Sequence, residues 1–229
     1  MTPTAKIVAK TVANVPHPEQ PFSSDLSAGA FIAFAARVSN PSNQFSEWSY
    51  ARLMQYLRKA GHWSPFEMSS CVMEITTTRD ISHQILRHRS FSFQEFSQRY
   101  ATVSQLHADF PARRQDLKNR QNSIDDMSDD DRLWWLDAQE RVAQDAELVY
   151  REALGKGIAK EVARKVLPEG LTETRLYMAG TIRSWIHYLA QRLDSSTQLE
   201  HRQVAIACEV ELVKHIPEVF RHVGPTTDN

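Results

Sequence analysis

The sequence predicts an α+β fold that is mostly helical, with its few strands in the first half, a helix-rich second half and no Rossmann fold. Three observations carry this. Runs suited to strands occur only before residue 100, and helical periodicity broken by Gly and Pro fills the remainder. Only seven glycines are present, and the one Gly-x-Gly, Gly155 to Gly157, has Lys160 where a dinucleotide fingerprint needs its third glycine. At 229 residues with 41% hydrophobic and 24% charged residues, the chain fits a single folded domain with a real core, over residues 1–229.

Taken in order, Ala5 to Val12 reads as an opening strand, followed by a loop through Pro16, Pro18 and Pro21 that no helix interior tolerates. Ser24 or Asp25 caps the next helix, which carries Phe31, Phe34 and Ala35 at helical spacing. A second helix runs from Ser46 to Ala60, with Trp48, Leu53, Met54 and Leu57 as its apolar residues and Gly61 as its stop. Phe66 to Thr78, with Val72, Ile75 and three consecutive threonines, suits a central strand. From Asp80 the period changes, and Ile81 and Ile85 share one side of a short helix running toward Arg89. Asn119 to Asp131 is a polar surface loop. Ser128 caps a helix from Asp129 to Leu154 that ends at Gly155 and Gly157. Further helices span Ala159–Leu167, stopped by Pro168, then Thr172–Leu193, then Glu200–His215, stopped near Pro217.

Charge and motifs narrow the function. Lys+Arg minus Asp+Glu is 27 − 28 = −1, so no global field exists to hold a polyanion. The run Arg113, Arg114, Lys118, Arg120 lacks interleaved aromatics and precedes an acidic stretch, which favours a solvated loop over a nucleic-acid site. Trp134-Trp135 reads as helix packing rather than a stacking platform. Cys71 and Cys208 sit among apolar neighbours outside any CxxC or zinc spacing, so we read them as core residues of a cytoplasmic protein without a metal site. No stretch approaches the apolar length of a membrane span, and the first ten residues do not read as a targeting signal. With no Gly-x-x-x-x-Gly-Lys-Ser/Thr and no His-Glu-x-x-His, any phosphate must be held by arginine.

Arginines concentrate in Arg87-His88-Arg89-Ser90-Phe91-Ser92-Phe93-Gln94-Glu95-Phe96-Ser97-Gln98-Arg99-Tyr100. Guanidinium forks donate in parallel pairs and stay charged, which suits phosphate and uracil carbonyls. Alternation places Ser92 and Gln94 on one side of an extended segment and Phe91 and Phe93 on the other. By spacing alone the stretch is an anion-binding loop or a solvated helix end with chance basic residues.

The stretch resembles the signature of flavin-dependent thymidylate synthases. Arg87, His88, Arg89, Ser92, Ser97, Arg99 and Tyr100 match its fixed positions and Glu95 its common acidic residue; Gln94 departs from a frequent asparagine. The likeness extends from Ala35-Ala36-Arg37-Val38 to Glu218-Val219-Phe220. His62-x-Ser64-Pro65-Phe66-Glu67 is similar to the segment opening the flavin site, and Glu161 to Pro168 to the nucleotide-contacting segment. Arg183-Ser184, His187 and Arg192 fall on the last site helix. Thr181 replaces a frequent asparagine and Ser196 a frequent histidine.

The resemblance implies an antiparallel sheet packed with helices and a homotetramer whose active sites are shared between subunits. It implies reductive methylation of dUMP to dTMP, with methylenetetrahydrofolate as carbon donor, NADPH as reductant and FAD as cofactor. Substrate contacts would come from Gln84, Ile85, Leu86 and Arg87, from Glu95, Phe96, Ser97, Gln98 and Arg99, and from Arg164 and Arg192. Arg192 would also be catalytic, favouring the ionised uracil. FAD would be held by Ser64, Arg87, His88, Arg89 and Glu95, with Thr181, Ile182, Arg183 and His187. Ser97 is then a binding residue rather than a nucleophile. Arg183 and Arg192 are nine apart, so on one helix they point to nearly opposite sides. A nucleic-acid-binding protein and a folate-only methylase using a cysteine are the competing classes.

Overall fold

The structure, a computed structural model, describes residues 1–15, 25–44, 50–103 and 105–221. Its centre is a four-stranded antiparallel sheet of β1 (Thr4–Lys10), β2 (Ser70–Thr78), β3 (Ser92–Glu95) and β4 (Glu173–Thr181), in the order β1-β2-β4-β3. Eight helices are described: α1 (Ala28–Ala36), α2 (Tyr50–Lys59), α3 (Arg79–Ile85), α4 (Asp129–Gly155), α5 (Lys160–Ala163), α6 (Ile182–Arg192), α7 (Leu199–His215) and α8 (Pro217–Phe220). This is the α+β architecture with an antiparallel sheet and a helix-rich second half, and none of the described sheet is parallel.

One central strand contradicts the sequence reading. Thr172–Leu193 is not one helix, because Glu173–Thr181 is extended and pairs with β2 from Ser70↔Thr181 to Thr78↔Glu173. Leu176, Tyr177, Met178 and Ala179 tolerate a helix, yet strand pairing on both sides and inward burial of Thr174, Leu176 and Met178 override that propensity. The strands are therefore not confined to the first half. A smaller correction concerns α1, whose cap is Ser27: its Oγ accepts from the Ala30 N–H at 3.1 Å. Asp25 instead pairs with Asn14 in a two-residue ribbon. Pro16, Pro18, Pro21 and Ser24 lie outside the described residues, as does the predicted beginning of the second helix at Ser46 and Trp48.

Elsewhere the predicted punctuation stands. Gly61, at φ 68, ends α2. The Ser128 hydroxyl caps α4 by accepting from the Asp131 N–H, and Gly157, at φ 79, follows its end. The Ala159–Leu167 helix shortens to α5 plus a 3₁₀ turn over Arg164–Val166.

The core lies on one face of the sheet. Cys71, Met73 and Ile75 of β2 and Leu176 and Met178 of β4 point inward, against Ile81 and Ile85 of α3, Ile182, Ile186 and Leu189 of α6, and Val204, Cys208 and Leu212 of α7. Each fully buried aliphatic or aromatic side chain contributes roughly 1.5–3 kcal/mol of transfer free energy. The opposite face carries Arg175, Tyr177 and Glu74, with the Tyr177 hydroxyl donating to Glu74 at 2.7 Å. No described helix is long and apolar enough to cross a membrane.

Candidate active site

The arginine-rich stretch begins where α3 ends. Successive turns carry the chain onward, with His88 N–H donating to Ile85 C=O at 3.0 Å and Phe91 N–H to His88 C=O at 3.2 Å. This leaves Arg87 and Arg89 exposed, without a side-chain hydrogen bond or ion pair among the described residues. β3 follows as an edge strand on β4, exposing Ser92 and Gln94 while Phe91 and Phe93 lean on the core, as alternation predicts. Phe91 lies so close to Gly180 that any Cβ there would overlap its ring.

Beyond β3, a turn closes on Ser97, whose carbonyl accepts from the N–H groups of Tyr100 and Ala101 at 3.1 Å and whose Oγ accepts from the Arg99 N–H at 3.4 Å. Among the described residues no acid or imidazole bonds that hydroxyl. The turn docks on α5: Arg99 pairs with Glu161 at 3.3 Å, and Lys160 Nζ donates to the Tyr100 carbonyl at 2.9 Å. Arg164, at the end of α5, has no side-chain partner among the described residues.

Helix α6 supplies two sites at its two ends. Thr181 is its N-cap, accepting from the Ser184 N–H at 3.3 Å. Next to it Arg183 pairs with Glu67, in the 3₁₀ turn Ser64–Glu67 that also exposes Ser64. His187 meets Trp63 with ring centroids 4.6 Å apart, and partial burial together with the Arg183 charge lowers its pKa. At the other end Arg192 Nε donates to His88 Nε2 at 2.9 Å. His88 must therefore be neutral with its proton on Nδ1; burial, then the Arg192 charge, hold its pKa down from 6.5 to about 4.

Other predicted residues face inward. Glu95 Oε1 accepts from Ser82 Oγ at 2.9 Å and Thr174 Oγ1 at 3.0 Å, with Arg79 at 3.5 Å. Gln98 is buried, and its Nε2 has no partner among the described residues. Ile85 and Ile182 lie wholly in the core, so their side chains offer a ligand nothing in this subunit; Leu86 and Phe96 are half-buried. Gln84 is engaged by two residues that spacing did not reveal, Gln198 at 2.7 Å and His201 at 3.2 Å. They are 114 and 117 positions away, and only the packing of α3 against α7 joins them.

Half of the basic run is neutralised. Arg113 bonds Glu200 at 2.6 Å and Arg114 forks onto Asp126. Arg113, Gln198 and Glu200 help to line a cavity of about 470 Å³, together with Phe110 and Trp135. Trp134 is 62% exposed, whereas Trp135, 38% exposed, is more than half covered and lines this cavity. The helix-packing reading therefore fits Trp135 but not Trp134 within one subunit, because the apolar residues of α4 exceed what its inner face covers. Among the described residues no group of three or more acidic, histidine or cysteine side chains is placed to hold a metal.

Known proteins are similar to this chain in sequence and in fold. A family profile described as thymidylate synthase complementing protein matches residues 24–218. A flavin-dependent thymidylate synthase of Synechocystis sp. is 51% identical over 194 residues, covering 85% of this chain and 88% of that protein. A probable flavin-dependent thymidylate synthase of Paramecium bursaria Chlorella virus 1 is 48% identical over 194 residues, covering 85% and 89%. Among solved structures, the UMP/dUMP methylase PolB from Streptomyces cacaoi bound with 5-Br UMP superposes with a TM-score of 0.77 at 26% identity, over 96% of this chain and 92% of that one. With the matching signature between α3 and α5, these likenesses establish that the chain belongs to the flavin-dependent thymidylate synthase family.

Proposed function

We propose that this chain converts dUMP to dTMP by reductive methylation, binding FAD and drawing on methylenetetrahydrofolate and NADPH, in a homotetramer with shared sites. The observation that carries the proposal is that four guanidinium groups, Arg87, Arg89, Arg164 and Arg192, have no carboxylate partner among the described residues. Uncompensated guanidinium groups suit phosphate, and both dUMP and FAD bring phosphates.

The residues fit both ligands. Arg87, His88 and Arg89, with Ser64, Thr181, Arg183 and His187, form the set for FAD; Glu95 and Ile182, also expected there, face inward. Gln84, Arg87, Ser97, Arg99, Arg164 and Arg192 form the set for dUMP, joined by the backbone of Ile85, Leu86, Phe96 and Gln98. When bound, FAD supplies the hydride that takes the transferred carbon to a methyl group. The protein's part is to bind, orient and polarise. With its Nε held by His88, Arg192 directs its remaining N–H donors and its charge to the uracil carbonyl, favouring the ionised ring and a more nucleophilic carbon 5. Cys71 and Cys208 are buried, and burial pushes the Cys71 thiol up to about 12, so neither serves as a nucleophile.

Sharing of sites between subunits is supported by α4, which exposes Leu133, Trp134, Val142, Leu148 and Val149 on a single helix, a surface suited to cover by another copy. The test is direct. Purified protein should show oxidised-flavin absorbance and form dTMP from dUMP, methylenetetrahydrofolate and NADPH. Arg89→Ala should lose flavin and stay folded, whereas Arg164→Ala should keep flavin and weaken dUMP binding by roughly 1.5–3 kcal/mol, the range for a hydrogen bond to a charged group. A protein that neither retains nor rebinds flavin and forms no dTMP overturns the proposal.

A further inference from the structure

Behind the motif, at the start of α7, a wholly buried histidine has no place in the site described so far. His201 Nδ1 lies 3.2 Å from Gln84 Oε1. Gln84 Nε2 lies 2.7 Å from Gln198 Oε1, and Gln198 Nε2 lies 3.0 Å from Glu200 Oε2. The other carboxylate oxygen of Glu200 accepts from Arg113 Nη2 at 2.6 Å. The sense of every bond follows from Glu200. An ionised carboxylate only accepts, so Gln198 must present its amide nitrogen there and its oxygen to Gln84. Gln84 must then present nitrogen to Gln198 and oxygen to His201, and His201 must donate from Nδ1.

We propose that His201 is a positioning residue for nucleotide recognition, locking the Gln84 amide in one orientation by an Nδ1–H bond to its oxygen. The inference rests on the proposed dUMP site, in which Gln84 touches the nucleotide. Held from both ends, Gln84 keeps one free N–H and one free lone pair in fixed positions, a complementary pair for the carbonyl and N3–H of a uracil ring. A surface glutamine without these anchors would present either end of its amide and would have to be ordered on binding. Burial and the Arg192 charge keep His201 neutral, with its pKa lowered from 6.5 to about 3, so the bond to Gln84 places its single ring proton on Nδ1. Its Nε2 is buried without a partner among the described residues, a cost that an apolar residue there would avoid.

The experiment is a double-mutant cycle on the flavin-loaded protein, reading dUMP affinity by calorimetry alongside flavin content and thermal midpoint. His201→Leu should weaken dUMP binding about tenfold, the equivalent of one hydrogen bond, at unchanged flavin content. His201→Asn, whose amide N–H can occupy the Nδ1 position, should recover most of that loss. In the Gln84→Ala background, His201→Leu should add nothing. Gln198→Ala, at an exposed position with little folding risk, should weaken dUMP in the same way and covers the case in which His201→Leu fails to fold. Wild-type affinity in folded His201→Leu or in Gln198→Ala, with Gln84→Ala weakened, overturns the positioning role and leaves the dUMP site standing. A full His201→Leu loss persisting in the Gln84→Ala background overturns it too. Wild-type affinity in Gln84→Ala removes the underlying site assignment and the proposal with it.

Discussion

His88 shows how one side chain carries both stability and recognition. Its Nε2 accepts from Arg192, so protonation would set two positive groups against each other in a partly buried pocket. The folded pKa is therefore depressed from 6.5 to about 4, while the unfolded chain titrates near 6.5. Between these values the unfolded state binds more protons, so stability rises with pH there. The contribution of neutral His88 is fully present above about pH 6.5 and is lost as pH falls through about 4; His201, depressed to about 3, adds to the loss in the same direction. The expected outcome is a thermal midpoint that declines as pH is lowered from 6.5 toward 4, with the His88 ring resonances still those of the neutral form through most of that range. Protonation of His88 near 6.5 in the folded protein would contradict the Arg192 bond.

At the scale of elements, β4 and α6 decide the site together. The strand ends at Thr181, the same residue caps the helix, and Arg183 and Arg192 are thereby delivered to Glu67 and His88 respectively. Gly180 sits at this junction beneath Phe91. An added methyl group there has nowhere to go except into the ring, and Phe91 is held in place by Trp185, on which it packs with centroids 4.9 Å apart. Gly180→Ala should therefore destabilise by roughly 1–3 kcal/mol, the range for overpacking, and lower the thermal midpoint. An unchanged midpoint would mean that β3 and the motif yield freely. The mistaken helix over Thr172–Leu193 has its cause here too: its residues suit either state, and pairing with β2 on one side and β3 on the other selects the strand.

For the whole molecule, α4 is the feature that a single subunit does not satisfy. Leu133 and Trp134 are both 62% exposed, and Leu148 is 59% exposed on the same helix. Charge placed there should cost one subunit little and an assembly much. Trp134→Asp combined with Leu148→Asp should shift sedimentation to a smaller species and abolish dTMP formation, with each subunit still folded. Unchanged sedimentation after both substitutions would place the contacts of the proposed tetramer elsewhere.

The sequence by itself determined the family, the motif with its three arginines, the helix stops at Gly61, Gly155 and Gly157, the core placement of both cysteines, and the exposed and covered sides of the segment Phe91–Gln94. These are local properties: they depend on residue type, backbone freedom and periodicity, which neighbours in the chain already express. The tertiary structure decided the rest. It made Glu173–Thr181 a central strand, turned Glu95 toward Ser82 and Thr174, paired Arg113 with Glu200, and set Gln198 and His201 against Gln84. Each of these joins residues from distant parts of the chain, and no spacing rule can express a partner that only packing brings within hydrogen-bond reach.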